Sequence, residues 1–332
     1  MNMERRMPAR LRGSAQLRDM VRENRIDMSD IICPVFFVEG KGIKEEIPSL
    51  RGQYHYSVDA FLKDLPELKS KGIRALLLFG VPKEKDAQAD CAKDAGGVVQ
   101  SALRALKEAD GGMLLLTDVC LCQYKSDGHC CFFHGDGHID REKTLKVLVE
   151  AALSHAQAGA DILAPSDMMD GRVGAIREAL DEGGYSHVPI MAYSAKYASS
   201  FYGPFRDAAH SAPGFGDRKA YQMDPANKRE ALVELLLDVE EGADFLMVKP
   251  AMPYLDIIQD ARQNTRLPVA AYQVSGEYAL LRNGFEQGIL EEKGLFESLL
   301  CIKRSGADLI ITYFAKDVQE WIGRYQTEGN CV

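Results

Sequence analysis

The sequence predicts a (β/α)8 barrel of the TIM type, an α/β fold spanning residues 31–332, preceded by an extended N-terminal arm, residues 1–30. Three observations lead there. Eight short apolar runs recur along the chain, of the kind that a parallel sheet buries on both faces. Helix-periodic stretches lie between most of them. Gly-Ala-Asp stands just before a run three times, at 159–161, 242–244 and 306–308, each glycine ending a helix where the chain turns into the sheet.

The arm comes first. It carries Arg5, Arg6, Arg10, Arg12, Arg18, Arg22 and Arg25 with few large apolar residues. Such a segment buries too little surface to order itself, so it is expected to lie on another subunit. The runs follow: IICPVFFV (31–38), ALLLFG (75–80), MLLLTDVC (113–120) and DILAPSDM (161–168). VPIMAYSAK (188–196), DFLMVKP (244–250), PVAAYQVS (268–275) and DLIITYFA (308–315) complete the set. Between them, 141–159 and 227–242 repeat apolar residues at three- and four-residue spacing, the mark of amphipathic helices. Eight β-then-α units in one chain point to a barrel. A doubly wound sheet is the alternative, but no Gly-x-Gly-x-x-Gly follows the first run.

Composition excludes several functions. A net charge of -9 argues against a nucleic-acid binder. No apolar run reaches the roughly 18 residues of a membrane span, and the basic N-terminus lacks a signal-peptide core. A cytoplasmic setting is expected. There the eight cysteines stay mostly reduced, so a cluster of them suggests a metal or catalysis before disulfides.

Barrel enzymes build their active sites at the C-terminal ends of the strands. Lys249 ends the sixth run and Lys196 the fifth. Adjacent strands lie about 5 Å apart, so the two side chains are expected to meet. One strand-end lysine is ordinarily solvated or ion-paired. Two ammonium groups in one cleft disfavour each other's protonation, and a neutral amine attacks carbonyls to give a Schiff base.

In DVCLCQYKSDGHCCFF (118–133), Cys120 and Cys122 should share a face of an extended strand end, with Cys130 arriving from the loop. Three thiolates and one open position suit a catalytic zinc. Buried inert thiols are the plainer alternative. His129 and His134 are further possible ligands. The long segment 201–225, rich in Gly, Pro and aromatics, reads as a lid and carries Arg206 and Arg218, whose forks suit carboxylates. Ser275 and Tyr313 end the seventh and eighth runs, where a hydroxyl can also hold a carboxylate. Asp118 and Asp167, near the same strand ends, are candidate proton acceptors.

These segments resemble the porphobilinogen synthase (5-aminolevulinate dehydratase) family. The resemblance rests on DVCLCQYKSDGHC, LAPSDMMDGRV, YSAKYASSFYGPFRDA, GDRKAYQM, MVKPAMPYLD and YQVSGEY, in that order, from the arm's MPARLRG to ITYFA. It implies a barrel enzyme with an N-terminal arm, assembled as a homo-octamer, that condenses two 5-aminolevulinate molecules into porphobilinogen for tetrapyrrole (haem) biosynthesis. Lys249 then matches the Schiff-base lysine of the propionate-side substrate and Lys196 that of the acetate side. Arg206 and Arg218 match the lid residues holding one substrate carboxylate, and Ser275 and Tyr313 the pair holding the other. Cys120, Cys122 and Cys130 match the ligands of the catalytic zinc. Glu234 matches a glutamate that holds an activating magnesium elsewhere in part of the family.

Two other readings make different demands. A Schiff-base aldolase shares the barrel and one lysine but leaves Lys196 and the cysteines surplus. A non-catalytic, zinc-stabilised binding protein requires a fourth protein ligand and no depressed lysine pKa.

Overall fold

Apolar side chains on both faces make a strand suited to a covered parallel sheet, and β1 (Ile31–Val38) is buried at every residue but its last. The computed structural model describes residues 7–327; Arg5 and Arg6 of the predicted arm lie outside the described residues. The further strands are β2 (Lys44–Glu46), β3 (Tyr54–Tyr56), β4 (Ala75–Val81), β5 (Leu114–Val119), β6 (Phe132–Phe133) and β7 (Ile139–Asp140). They continue with β8 (Ile162–Pro165), β9 (Met191–Lys196), β10 (Phe245–Lys249), β11 (Val269–Gln273) and β12 (Leu309–Thr312).

The eight predicted runs are the barrel strands. They pair in the order β8-β5-β4-β1-β12-β11-β10-β9. A single bridge between Leu163 and Ile190 joins the ends of that order, with the Leu163 N–H donating to the Pro189 carbonyl at 3.1 Å. Helices alternate with the strands, the two named from the sequence forming as Arg141–Gln157 and Arg229–Glu240. The fold is a (β/α)8 barrel.

The Gly-Ala-Asp repeats prove to be one device used three times. Gly159, Gly242 and Gly306 sit at φ of 101°, 95° and 120°, where a side chain is strained. Each following aspartate then grips one residue of the neighbouring strand at two points. Asp161 donates its N–H to the Leu115 carbonyl at 2.9 Å and accepts the Leu115 N–H at 2.7 Å. Asp244 does the same to Ile190 (2.9 and 2.8 Å) and Asp308 to Val269 (2.7 and 2.9 Å). Strand starts leave donors without ladder partners, and these carboxylates take them.

Three features differ from expectation. The hairpin β2–β3 pairs antiparallel, with β3 adding in parallel to β1, and β6–β7 forms a second small hairpin. The arm is not fully extended: Pro8–Arg12 is a 3-10 turn and Ala15–Met20 a short helix capped by Ser14. Neither buries a side chain. Residues 21–24 line a pocket with Glu297, Leu300 and Arg304, and the N–H and carbonyl of buried Ile26 both pair with the Gln326 amide at 2.9 Å.

Asp244→Ala removes the acceptor for a strand-start donor at the face opposite the strand C-termini. It should cost about 1 kcal/mol of stability, read as a lowered denaturant midpoint, while the strand-end residues keep their arrangement.

Candidate active site

Lys249 is the last residue of β10 and Lys196 the last of β9, and the parallel register sets them directly opposite one another. Both are buried. Four rings surround the Lys249 ammonium: Tyr272 at 4.4 Å, Tyr193 and Phe205 at 5.0 Å, and Tyr202 at 5.4 Å from Nζ to ring centre. Ring faces attract a cation, but burial and then the Lys196 charge bring the Lys249 pKa down to about 7, against the opposing pull of Asp118. Lys196 donates to the Ser166 carbonyl, reaching across the thinly paired β8–β9 seam.

The three cysteines converge, although not as the strand argument supposed. β5 ends at Val119, and the chain then turns, Tyr124 and Lys125 both donating to the Leu121 carbonyl at 2.9 and 2.8 Å. That turn, not a shared strand face, brings the sulfurs of Cys120 and Cys122 to 3.4 Å. The sulfurs of Cys120, Cys122 and Cys130 all lie within 4.8 Å of one another, the one such potential metal-binding group among the described residues. A tetrahedral zinc with ~2.3 Å bonds to sulfur spaces its ligands about 3.8 Å apart, so the donor set fits that ion. Hydrogen bonds from Cys120 and Cys130, then the charges of Arg218 and Lys196, hold the Cys122 thiol well below its usual range, while hydrogen bonds with Cys122 and Cys130, and then burial, push Cys120 up. His129 does not join the cluster: Nδ1 lies 3.0 Å from Tyr221 Oη and Nε2 2.9 Å from the Phe215 carbonyl. His134 is exposed, beside Asp140.

Segment 201–225 folds over this mouth, entered through the 3-10 turn Ser200–Tyr202 and the short helix Gly203–Ala208. Arg206 and Arg218 line one pocket with Lys196, Lys249, Asp118 and Cys122. The pocket holds about 20 Å³, room for about one water. Arg218 donates to the carbonyls of Gly128, at 2.8 Å, and Ser211. Burial alone would lower its pKa, but the nearby sulfurs of Cys130 and Cys122 outweigh that and raise it. The Nε groups of both arginines are buried without a partner. Asp118 accepts from Gln123 at 2.9 Å, and its other oxygen is unpartnered. Asp167 is buried too but does not line this pocket; burial pushes its pKa up to about 6.

Ser275 and Tyr313 lie one step back. The Ser275 hydroxyl accepts the Phe205 N–H at 2.9 Å and donates to the Phe201 carbonyl at 3.3 Å, so it fastens the lid. Tyr313 Oη sits 3.1 Å from Tyr272 Oη, beneath Lys249. Glu234 is elsewhere, in a pocket of about 310 Å³ with Asp170, Glu230 and Arg141. Burial, opposed by Arg172, raises its pKa to about 7.

Sequence reasoning missed the four rings around Lys249. Their signal was the aromatic density of YSAKYASSFYGPF and the tyrosine of the seventh run, but nothing in the spacing aims these rings at one lysine.

Buried paired lysines under a lid at the C-terminal face define a (β/α)8-barrel enzyme. Residues 5–321 match the family model described as Delta-aminolevulinic acid dehydratase. The chain is 52% identical over 314 residues to the delta-aminolevulinic acid dehydratase of Halalkalibacterium halodurans, covering 94% of this chain and 95% of that one. It is likewise 52% identical over 313 residues to that of Methanothermus sociabilis, covering 94% and 97%. Its structure matches delta-aminolevulinic acid dehydratase (porphobilinogen synthase) from Toxoplasma gondii, crystallised with the reaction product porphobilinogen, with a TM-score of 0.94 and 44% identity over 96% of this chain and 92% of that one. The chain belongs to the delta-aminolevulinic acid dehydratase family and is a lyase of that kind.

Folding lowers the Lys249 pKa from 10.5 to about 7. Between those values the unfolded chain binds the extra proton, so this residue makes stability rise with pH across the window. Lys249→Met removes that dependence. Thermal melts between about pH 7 and 9 should show a flatter profile and a higher Tm near neutrality, with turnover down by ~10³-fold or more.

Proposed function

We propose that the chain condenses two molecules of 5-aminolevulinate into porphobilinogen, releasing two waters, through Schiff bases on both lysines. The observation that carries the reading is the register of Lys249 against Lys196, with both side chains buried. The neutral Lys249 amine attacks the ketone of the propionate-side substrate; a C–N bond forms and the carbonyl oxygen leaves as water. Lys196 does the same to the acetate-side ketone. One C–C and one C–N bond then join the substrates, and each lysine is released as the product ring closes.

The remaining residues bind and orient. Arg206 and Arg218 offer charge-assisted bonds to one carboxylate. Ser275 and Tyr313 hold the other, and Ser275 becomes free for it when the lid segment around Phe205 lifts. The lid must lift, because about 20 Å³ admits no 5-aminolevulinate. Asp118, buried and with one oxygen unpartnered, is placed to take a proton from a bound intermediate. A zinc ion held by Cys120, Cys122 and Cys130 would supply Lewis acidity at the Lys196 side of the pocket.

Assembly belongs to the same reading. The arm's short elements have no fully buried side chain, which suits an arm seated on a neighbouring subunit of a homo-octamer. Glu234 would hold magnesium through one carboxylate and waters, as that ion prefers, in a pocket whose acidic groups Asp170 and Glu230 favour a cation. Reduced, metal-binding thiols suit a cytoplasmic enzyme, and among the described residues no helix is long and apolar enough to cross a membrane.

The direct test supplies 5-aminolevulinate to the zinc-loaded protein and quantifies porphobilinogen; no product contradicts the proposal. Chelation, or Cys122→Ala, should abolish that activity while circular dichroism stays that of the folded barrel, because a catalytic ion acts on the transition state and a structural one on folding. Arg206→Ala should mainly raise KM, by ~10-fold or more, since it removes a contact made before and during the reaction. An unchanged saturation curve would show that the lid arginine does not bind substrate.

A further inference from the structure

Immediately after Lys249 the chain makes a tight turn through Pro250 and Ala251 into the 3-10 segment Met252–Tyr254. Whatever fixes that turn fixes the base of the lysine side chain. On one side, the Lys249 carbonyl accepts from the Tyr197 N–H and the Tyr202 hydroxyl, both at 3.1 Å. On the other, the N–H groups of Ala251 and Met252 go to a single side chain, that of Glu277.

Glu277 is the third residue of the helix Ser275–Glu286 and is buried. A glutamate there ordinarily reaches back to cap its own helix, and Oε2 does accept the Val274 N–H at 2.6 Å. Capping accounts for only one of its bonds. Oε1 also accepts the Met252 N–H at 2.6 Å, and Oε2 the Ala251 N–H at 3.4 Å. One carboxylate therefore ties the end of the sixth barrel strand to the start of the helix that begins with Ser275. Burial raises its pKa to about 7, opposed by these three N–H groups and then by the Lys249 charge. The Lys249 charge therefore reaches this carboxylate.

We infer that Glu277 is a positioning residue for the reaction: its carboxylate holds the Ala251–Met252 turn and so aims the Lys249 amine relative to Ser275. This rests on the reading of Lys249 as an imine-forming residue. An uncharged amide of the same shape keeps one acceptor oxygen and must turn an NH2 toward backbone N–H donors, so it gives up either the short Met252 bond or both bonds now made by Oε2. Misplacing a reacting group by about 1 Å costs on the order of 100-fold in rate.

The test compares the unsubstituted protein with Glu277→Gln and with Glu277→Asp, which keeps the charge but retracts it by one methylene and serves should the amide not fold. Leu65→Ala, in the remote helix Val58–Ser70, is the control for lost stability alone. Each protein is incubated with 5-aminolevulinate, reduced with borohydride, and mapped for label at Lys249 and Lys196, alongside kcat, KM and Tm. The Glu277 variants should lose ~10- to 100-fold in kcat, with label at Lys249 falling and label at Lys196 kept, while Leu65→Ala keeps both at a comparable loss in Tm. Parallel loss at both lysines, or a kcat no lower than that of Leu65→Ala, overturns the assignment. Absence of label at Lys249 in the unsubstituted protein overturns the imine reading itself, and the role of Glu277 with it.

Discussion

Two lysines that end neighbouring parallel strands in register create a repulsion that the rest of the mouth is arranged around. Unit charges about 5 Å apart at an effective dielectric near 20 repel by ~3 kcal/mol, and burial adds the cost of removing each ammonium from water. Shedding a proton at Lys249 relieves both. The aromatic rings enclose it, and the pull of Asp118 is too weak to offset burial and the Lys196 charge, which sets this amine apart from a structural ion pair. The contrast lies within the same barrel. Buried Arg172 keeps its charge because Asp238 meets it with two bonds, at 2.9 and 3.0 Å.

The same logic, with signs reversed, runs through the cysteine cluster. Three buried sulfurs resist becoming anionic together, and the cations that offset them, Arg218 and Lys196, come from the lid and from the end of β9, beyond β8 in the barrel. Arg218 also bonds to the Gly128 carbonyl in the loop that delivers Cys130. Segment 201–225 thus places a guanidinium beside the thiols and narrows the pocket at the same time. Ser275, bonded to the backbone at Phe201 and Phe205, holds the other edge of that lid. Cysteine cluster, lid segment and lysines form one electrostatic unit.

Much of this was legible in the sequence, for identifiable reasons. Strands buried on both faces leave continuous apolar runs, so all eight barrel strands could be read. Lys249 and Lys196 stood out because a charge at the end of such a run needs explaining, and the register confirmed their meeting. Lys44–Glu46 and Tyr54–Tyr56 left no such mark, being short and largely polar or half-exposed. Cys120 and Cys122 were correctly grouped for the wrong geometric reason, since a turn is indistinguishable from a strand end over three residues. The two-point grip of Asp161, Asp244 and Asp308 was visible as a repeat, but its hydrogen bonds join residues 39 to 54 apart. The ring cage of Lys249 draws on β9, β11 and the lid, and convergence of that kind appears only once the barrel is closed.

The central claim is that the fold delivers an uncharged Lys249 amine near neutral pH, and the pH dependence of its acylation tests it most directly. Trace labelling with an amine-specific acylating reagent over a pH series, followed by mass-spectrometric quantification of the Lys249 peptide, reports the neutral fraction at that residue. A labelling rate that rises to a plateau with a midpoint near 7 is the expected result. A midpoint near 10.5, the value of an ordinary lysine, would contradict the account.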